Sequence, residues 1–416
     1  MADPRIVTLG CRLNAFESEV MRQRAGAALD DAIVVNTCAV TAEATRQARQ
    51  AIRKARRENP NARIVVTGCA AQLEPHTFAA MPEVDRVVGN LEKFDPALLA
   101  GDGVEVGDIM AAEDTAAHLF AGEGIDAFAD RARAFVQIQQ GCDHRCTFCI
   151  IPFARGRSQS VPATAVIAQV RRLVEGRHKE VVLTGVDISS YGGDLGDGSS
   201  LGTLVWAILA AVPDLMRLRL SSLDPAVLDD ALFRALADEE RLMPHLHLSL
   251  QAMDDMVLKR MKRRHDRARA LEFCRRARAA RPDVQFGADL IAGFPTETEA
   301  MFESTLSGVI ESGAVYLHVF PYSSRQGTPA AKMPAVPHAA RKERAARLRQ
   351  AGEAALDGYL RSRIGTEIDV LAEADGRGRC RHYAPVRLGF DAPPGEIEKV
   401  RVAAVADGHL VGTRAA

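Results

Sequence analysis

Short apolar runs alternate with helical stretches over the first ninety residues or so. RIVTLG (5–10), AIVVNT (32–37) and RIVVTG (63–68) are strand-like, and VDRVVG (84–89) is a fourth such run. That grammar predicts βαβ units and a Rossmann-like parallel sheet. Farther along, strand-like runs recur at residues 135–139, 181–185, 217–221, 246–250, 284–291 and 315–320, with helical patterns such as TAVIAQVRRLVEG and ALEFCRRARAARP between them. Six βα units predict a partial TIM-like (β/α)6 barrel that lacks two of the usual eight strands and so has a lateral opening. After a basic helical segment (341–365), the runs EIDVLAEA, YAPVRLGF, GEIEKVRVAAV and HLVGT, punctuated by Gly and Pro, predict a small antiparallel β-barrel. The fold class is therefore α/β with three units, at 1–120, 128–360 and 364–416.

Residues that can carry chemistry fall at the strand ends. Cys11, Cys38 and Cys69 each follow one of the first three runs directly. Ligands gather at the carboxyl ends of strands in an open parallel sheet, so three cysteines far apart in sequence converge on one edge as a metal site assembled by the fold. An ordinary buried thiol is the alternative at each position; three in register favour ligands. QQGCDHRCTFCIIPFARG places Cys142, Cys146 and Cys149 just past the first barrel strand, where active sites of such barrels lie. The spacing admits two readings. His144 completes a three-Cys, one-His zinc knuckle, or three thiolates hold an iron cluster with one iron left open for a reactant. Gly185, Asp187, Ser222, Ser249, Gln251 and Asp289 stand at or near the ends of later strands. Small and polar residues there suit a ligand that approaches the backbone closely, or they are loop punctuation.

Composition bounds the picture. Of 416 residues, 47% are hydrophobic and 26% charged, the content of a globular protein with room for two or three cores. MADPRIVTLG lacks the regions of a secretory signal, and the longest uncharged apolar run, LGTLVWAILAAVP, is too short to span a bilayer. The expected location is the cytoplasm, where cysteines read as ligands or catalytic thiols rather than disulfides. A net charge of −1 exerts no global pull on nucleic acid. RNA contact would have to come from local patches: Arg46, Arg49, Arg53 and Arg56 at helical spacing, and Arg263 and Arg264 in KRMKRRHDR. Solvated helix faces are the alternative. Cys274 and Cys380 have no spaced partners and read as a buried thiol and an exposed loop thiol. His245 and His247 share a strand face with no evident third ligand.

CDHRCTFC resembles the C-x3-C-x2-C signature of radical S-adenosylmethionine enzymes. LGCRLNAFESE, VVNTCAVTAEA and VVTGCAAQ resemble the three N-terminal motifs of the methylthiotransferase family, and LSSLDP, HLHLSLQ and DLIAGFPTET extend the likeness over nearly the whole chain. NTCAVT and IIPFARGRSQS look most like the bacterial branch that acts on threonylcarbamoyladenosine beside the tRNA anticodon. Arg12, Ala15, Phe16 and Ala70 depart from the usual motifs.

The resemblance implies two 4Fe-4S clusters. One, on Cys142, Cys146 and Cys149, binds S-adenosyl-L-methionine with Phe148 near the adenine; the other is on Cys11, Cys38 and Cys69. It also implies a TRAM-like RNA-binding unit at the C-terminus. The implied partners are tRNA, an electron donor such as flavodoxin or ferredoxin and a sulfur source, with no membrane. The implied reaction makes a 5′-deoxyadenosyl radical that takes hydrogen from C2 of the modified adenine, where a methylthio group is then placed. That C–H bond has no acidic proton, so cofactors rather than acid–base residues carry the hard step. The readings beside it are methylthiolation of isopentenyladenosine or of a ribosomal-protein aspartate, a non-catalytic iron–sulfur protein that binds RNA or transfers electrons, and a structural zinc protein.

Overall fold

The computed structural model describes residues 5–25, 29, 32–112, 124–128 and 131–415; the expected boundary at residue 120 lies outside them. Strands β1 (Arg5–Thr8), β2 (Ala32–Thr37), β3 (Arg63–Gly68), β4 (Arg86–Val88) and β5 (Gly103–Glu105) form one parallel sheet in chain order. The fifth strand is three exposed residues at the sheet edge, with no apolar run for a pattern to detect. Helices α1 (Arg12–Ala25), α2 (Ala42–Glu58) and α3 (Cys69–Leu73) follow the first three strands. Thr41 caps α2 by accepting from the Ala44 amide at 3.1 Å.

Two glycines make the exits from β1 and β3. Gly10 has φ +95° and Gly68 has φ +93°, a region that side-chain-bearing residues rarely adopt. A Cβ on Gly10 would lie 2.6 Å from Cys38 Cβ, and one on Gly68 would collide with the Thr37 carbonyl. Asn14 donates to Leu9 O at 2.7 Å and Thr37 O at 3.0 Å, tying α1 to both strand ends.

The middle of the chain contributes β6 (Ala134–Gln137), β7 (Gln139–Gln140), β8 (Gln159–Ser160), β9 (Glu180–Thr184), β10 (Arg217–Leu220), β11 (Ser222–Leu223), β12 (His245–Gln251), β13 (Gln285–Ala292) and β14 (Ala314–Pro321). The order runs β6-β9-β10 and then, past Ser221, β11-β12-β13-β14, with every neighbouring pair parallel. β6 and β14 are the two edges of this partial barrel. One hydrophobic core joins Phe16, Val20 and Met21 of α1 to Phe135, Val170 and Leu183 of the barrel, so the first two units share their interior.

At the C-terminus β15 (Glu367–Glu373), β16 (Arg377–Cys380), β17 (Pro385–Leu388), β18 (Ile397–Ala406) and β19 (His409–Arg414) close a five-stranded barrel. It corrects the expectation in two ways. β17 and β19 pair in parallel, so the barrel is not wholly antiparallel. RGRC forms β16, held by pairing to β15 rather than by its own pattern, and Cys380 is buried in it. Cys274 is buried as expected. Among the described residues, no helix is long and apolar enough to cross a membrane.

A buried carboxylate joins this barrel to the central one. Glu180 meets Arg219 Nε at 3.0 Å, Arg133 Nε at 3.0 Å and Arg217 at 3.6 Å. Arg219 also donates to the carbonyls of Cys380 and Arg381, Arg217 to that of Arg379, and Arg133 pairs with Glu373. Burial alone would raise the Glu180 carboxyl, but the guanidiniums of Arg219 and Arg133 outweigh it and hold the group down at about 2.

The unfolded carboxyl titrates near 4.5, so the stabilisation is complete above that pH and is lost as pH falls toward 2. Urea midpoints measured across that window should fall for the native chain. Glu180→Gln should flatten the slope and lower stability at neutral pH by about 3–5 kcal/mol, because the buried Arg217 and Arg219 lose their counter-charge while Arg133 keeps only Glu373. An unchanged midpoint at neutral pH would contradict this role.

Candidate functional site

Cys11, Cys38 and Cys69 stand at the carboxyl ends of the adjacent strands β1, β2 and β3. Cys38 and Cys69 are buried; Cys11 is exposed as a residue. Burial pushes the Cys11 thiol up and that of Cys38 up to about 11, and charge on the neighbouring cysteines of the trio adds to both shifts. The three sulfurs therefore lie within electrostatic reach of one another.

Beside them stands a group that the motifs did not single out. Arg155 donates from Nε to Cys69 Sγ at 3.1 Å, to both oxygens of Glu17 at 2.7 and 3.0 Å, and to Asn14 Oδ1 at 2.6 Å. Lys93 Nζ donates to Glu17 Oε2 at 2.7 Å and Asn90 Oδ1 at 2.8 Å. Arg155, Glu17 and Lys93 are all buried. Two cations face one carboxylate, which leaves formal positive charge beside Cys69. A thiolate or an anionic cluster balances that charge, so the donor set fits a metal centre held by these three cysteines. The available sequence signal was Glu17, a carboxylate between Phe16 and Val20 on an otherwise apolar helix face.

The second trio lies beyond β6. Gly141 (φ +67°) makes the turn, where a side chain would strike the Arg157 carbonyl. Cys142 N donates to Gly156 O at 3.1 Å and Cys149 N to Cys146 O at 3.1 Å. Thr147 pins the loop, donating from its amide to Met261 O and from Oγ1 to Arg260 O. Burial pushes Cys142 up to about 12 and Cys149 to about 11. Arg263 reaches Cys146 Sγ at 3.6 Å and Ser249 O at 2.9 Å, and pairs with Asp224 at 3.3 Å. Each trio thus has one guanidinium against one sulfur, buried at Arg155 and half-buried at Arg263.

The other rim residues surround this loop. His144 Nε2 lies 2.9 Å from Asp187 Oδ2, and Cys142, His144 and Asp187 bring their ligand atoms within 4.8 Å of one another. Gly185 lets the chain close on Gln139, whose carbonyl would sit 2.8 Å from an added Cβ. Gln251 adopts φ +64° at the end of β12, Ser222 lies in β11, and Phe148 packs edge-to-face on Phe294 at 6.4 Å.

Three placements differ from the sequence reading. Arg263 is half-buried, and its guanidinium is engaged by Asp224, Cys146 and the Ser249 carbonyl rather than turned out to solvent. Arg49, Arg53 and Arg56 pair with Glu74, Glu83 and Asp85, while Arg46 pairs with Glu43 in its own helix and Arg264 with Asp224. His247 does have partners: its ligand atom and those of Asp289 and His318 lie within 4.8 Å of one another. They stand on three adjacent strands, a neighbourhood that sequence distance hides. His245 instead stacks on Tyr383 of the C-terminal barrel at 4.9 Å.

Comparison with known proteins follows the same division. Residues 4–89 match a family described as Uncharacterized protein family UPF0004, and residues 136–307 match the Radical SAM superfamily. Threonylcarbamoyladenosine tRNA methylthiotransferase MtaB of Rickettsia prowazekii is 48% identical over 97% of this chain and 96% of its own length. The chain belongs to the MtaB-like radical SAM family. The Aquifex aeolicus protein of the same name is 34% identical over 95% of this chain and 98% of its own. Among solved structures, the radical S-adenosylmethionine methyltransferase TsrM of Kitasatospora setae aligns with a TM-score of 0.53 at 17% identity, over 77% of this chain and 67% of its own, a likeness of fold. Membership of the radical SAM family implies a 4Fe-4S cluster and S-adenosylmethionine.

Removing the Arg155 guanidinium leaves Glu17 and Lys93 as a balanced buried pair, whereas removing the Glu17 charge leaves two buried cations facing each other. Glu17→Gln should lower the free energy of unfolding by about 3–5 kcal/mol, and adding Arg155→Met, which takes away one of the two cations, should recover part of that loss. Urea titration of the single and double variants reads the coupling. Additive losses would show that the pair is not coupled.

Proposed function

We propose that this chain places a methylthio group on C2 of threonylcarbamoyladenosine in tRNA. The observation that carries this reading is the 48% identity to the Rickettsia prowazekii protein over nearly the full length of both chains. Two separate cysteine trios, each with an arginine at one sulfur, support a reaction that needs two metal centres.

On this reading Cys142, Cys146 and Cys149 hold the cluster that binds S-adenosylmethionine, and Cys11, Cys38 and Cys69 hold the second. When bound, these groups supply the radical that opens the C–H bond and the sulfur that replaces the hydrogen. The chain's own residues position and balance them. Arg155 and Arg263 compensate thiolate charge, and Gly10, Gly68 and Gly141 admit the turns that bring the cysteines together. Asp187 and His144 stand beside the second trio, placed to meet polar groups of the bound cofactor. Residues 1–120, 128–360 and 364–416 would act as cluster-binding, radical and RNA-binding units. Arg46, Arg49, Arg53 and Arg56 would exchange their carboxylate partners for phosphates, which costs little at exposed pairs. A reductant and a sulfur source complete the reaction.

Mass spectrometry of nucleosides from bulk tRNA tests the proposal. Deleting the gene should abolish methylthio-threonylcarbamoyladenosine and accumulate its unmethylthiolated precursor. Loss of a different methylthio nucleoside would move the substrate and keep the chemistry. Cys38→Ala should leave 5′-deoxyadenosine formation largely intact while abolishing methylthio transfer. Survival of both activities would refute the assignment of the second cluster.

A further inference from the structure

Strand β14 is an open edge of the central barrel, and its residues alternate between two surroundings. Leu317 and Val319 pack on the core, with Leu317 against Gly352 of the helix His338–Arg361. Tyr316, His318 and Phe320 therefore share the other face, toward the barrel interior. Tyr316 OH donates to His382 O at 3.0 Å, so the C-terminal barrel closes that end of the row. His318 is 63% exposed at its side chain and Phe320 is 41% exposed. The open end of the row thus offers an imidazole and an aromatic ring.

Asp289 orients that imidazole. It pairs with His318 across the β13–β14 ladder, and its Oδ1 lies 3.4 Å from His318 Nδ1 and 3.1 Å from His247 Nε2. Burial would raise the Asp289 carboxyl, but the two imidazoles hold it well below the usual carboxylate range. With Nδ1 directed at Asp289, the other ring nitrogen of His318 is the one available to a ligand. The group also lies near the second cysteine trio. His247 stands two residues before Ser249 on the same face of β12, a step of roughly 7 Å, and Arg263 spans from Ser249 O to Cys146 Sγ.

Resting on the function proposed above, we infer that His318, oriented by Asp289, binds the carboxylate of the threonylcarbamoyl group and so selects an anionic substituent on the adenine. An imidazole held on one side by a carboxylate turns its other nitrogen to the ligand, and an anion bound there favours the form of the ring that donates from both nitrogens. Phe320, two residues along the same face, offers apolar surface next to it. A neutral alkyl substituent would leave that donor without a partner, which is how a polar site rejects an apolar analogue. Direct contact with the substrate is favoured over a bound divalent cation because Asp289 Oδ1 is already shared between the two imidazoles.

The test uses the anaerobically purified full chain and two anticodon stem-loop RNAs, one carrying threonylcarbamoyladenosine and one its neutral methyl ester. Fluorescence anisotropy should show the acid bound roughly 10- to 100-fold more tightly than the ester, the scale of one charge-assisted hydrogen bond. His318→Gln should narrow that preference to within about threefold and leave ester affinity unchanged, and His318→Arg should retain the preference. Equal weakening of both RNAs by His318→Gln, or an undiminished preference, overturns the inference. So does a preference that chelator abolishes and added zinc restores, which would mean a bridging cation. A native chain that methylthiolates the acid RNA yet binds both RNAs equally overturns the role of His318 and leaves the function standing. One that methylthiolates neither overturns both.

Discussion

A buried guanidinium governs the N-terminal half of this molecule. Arg155 comes from the segment that follows the second cysteine trio, and it ends among Asn14, Glu17 and Cys69, which belong to the first. Burying an ion costs several kcal/mol even after relaxation, and the contact persists because each of the three guanidinium nitrogens meets an acceptor. Glu17 neutralises one of the two cations beside it, and the thiols of the first trio, Cys69 in direct contact, are groups able to take the balancing negative charge. The same contact that makes the first trio suited to a metal centre therefore also fixes the sheet against the barrel. The shared apolar core of α1 and the barrel reinforces that placement without directing it, because hydrophobic contact is not directional.

The central barrel carries opposite designs at its two ends. Both cysteine trios collect at the carboxyl ends of strands, where glycine turns release the chain and an arginine waits at one sulfur. The other end is closed by charge compensation: Glu180 gathers three arginines, and their remaining donors reach carbonyls of the C-terminal barrel. Tyr383 seals the junction by stacking on His245. Burial pushes its phenol up, yet Arg12, Arg133, Arg379 and Arg219 outweigh burial and hold it below the usual value. Arg12 directly follows Cys11 and lies 3.3 Å from the Tyr383 hydroxyl. The third unit therefore touches the first as well as the second.

What the sequence made legible was local. Alternation and βα spacing reveal strands within a few residues of their bounds, and the six cysteines stand out because each follows such a run. β5 and β16 escaped because neither is apolar; Gly103–Glu105 and RGRC become strands only by pairing with neighbours already in place. Cys380 followed β16 into the interior for the same reason. Charge runs mislead differently: in KRMKRRHDR nothing distinguishes Arg263, which turns inward to Asp224 and Cys146, from Arg264, which is more exposed. Arg155 with Glu17, and His247 with Asp289 and His318, are pairs made by register and packing between distant segments. No periodicity records them, although a carboxylate on an apolar helix face was a sign available at Glu17.

A barrel that stops at six strands must manage an open edge, since unpaired strand edges invite association. β14 answers this on both faces. Its outer side is covered by the long helix His338–Arg361, where Gly352 lets Leu317 approach closely. Its inner side carries His318 with a carboxylate behind it, and the strand ends in Pro321, which lacks an amide to donate. Closing the barrel with two more strands would remove the edge and cover His318, so the edge left unpaired is what keeps this imidazole exposed beside its half-buried carboxylate.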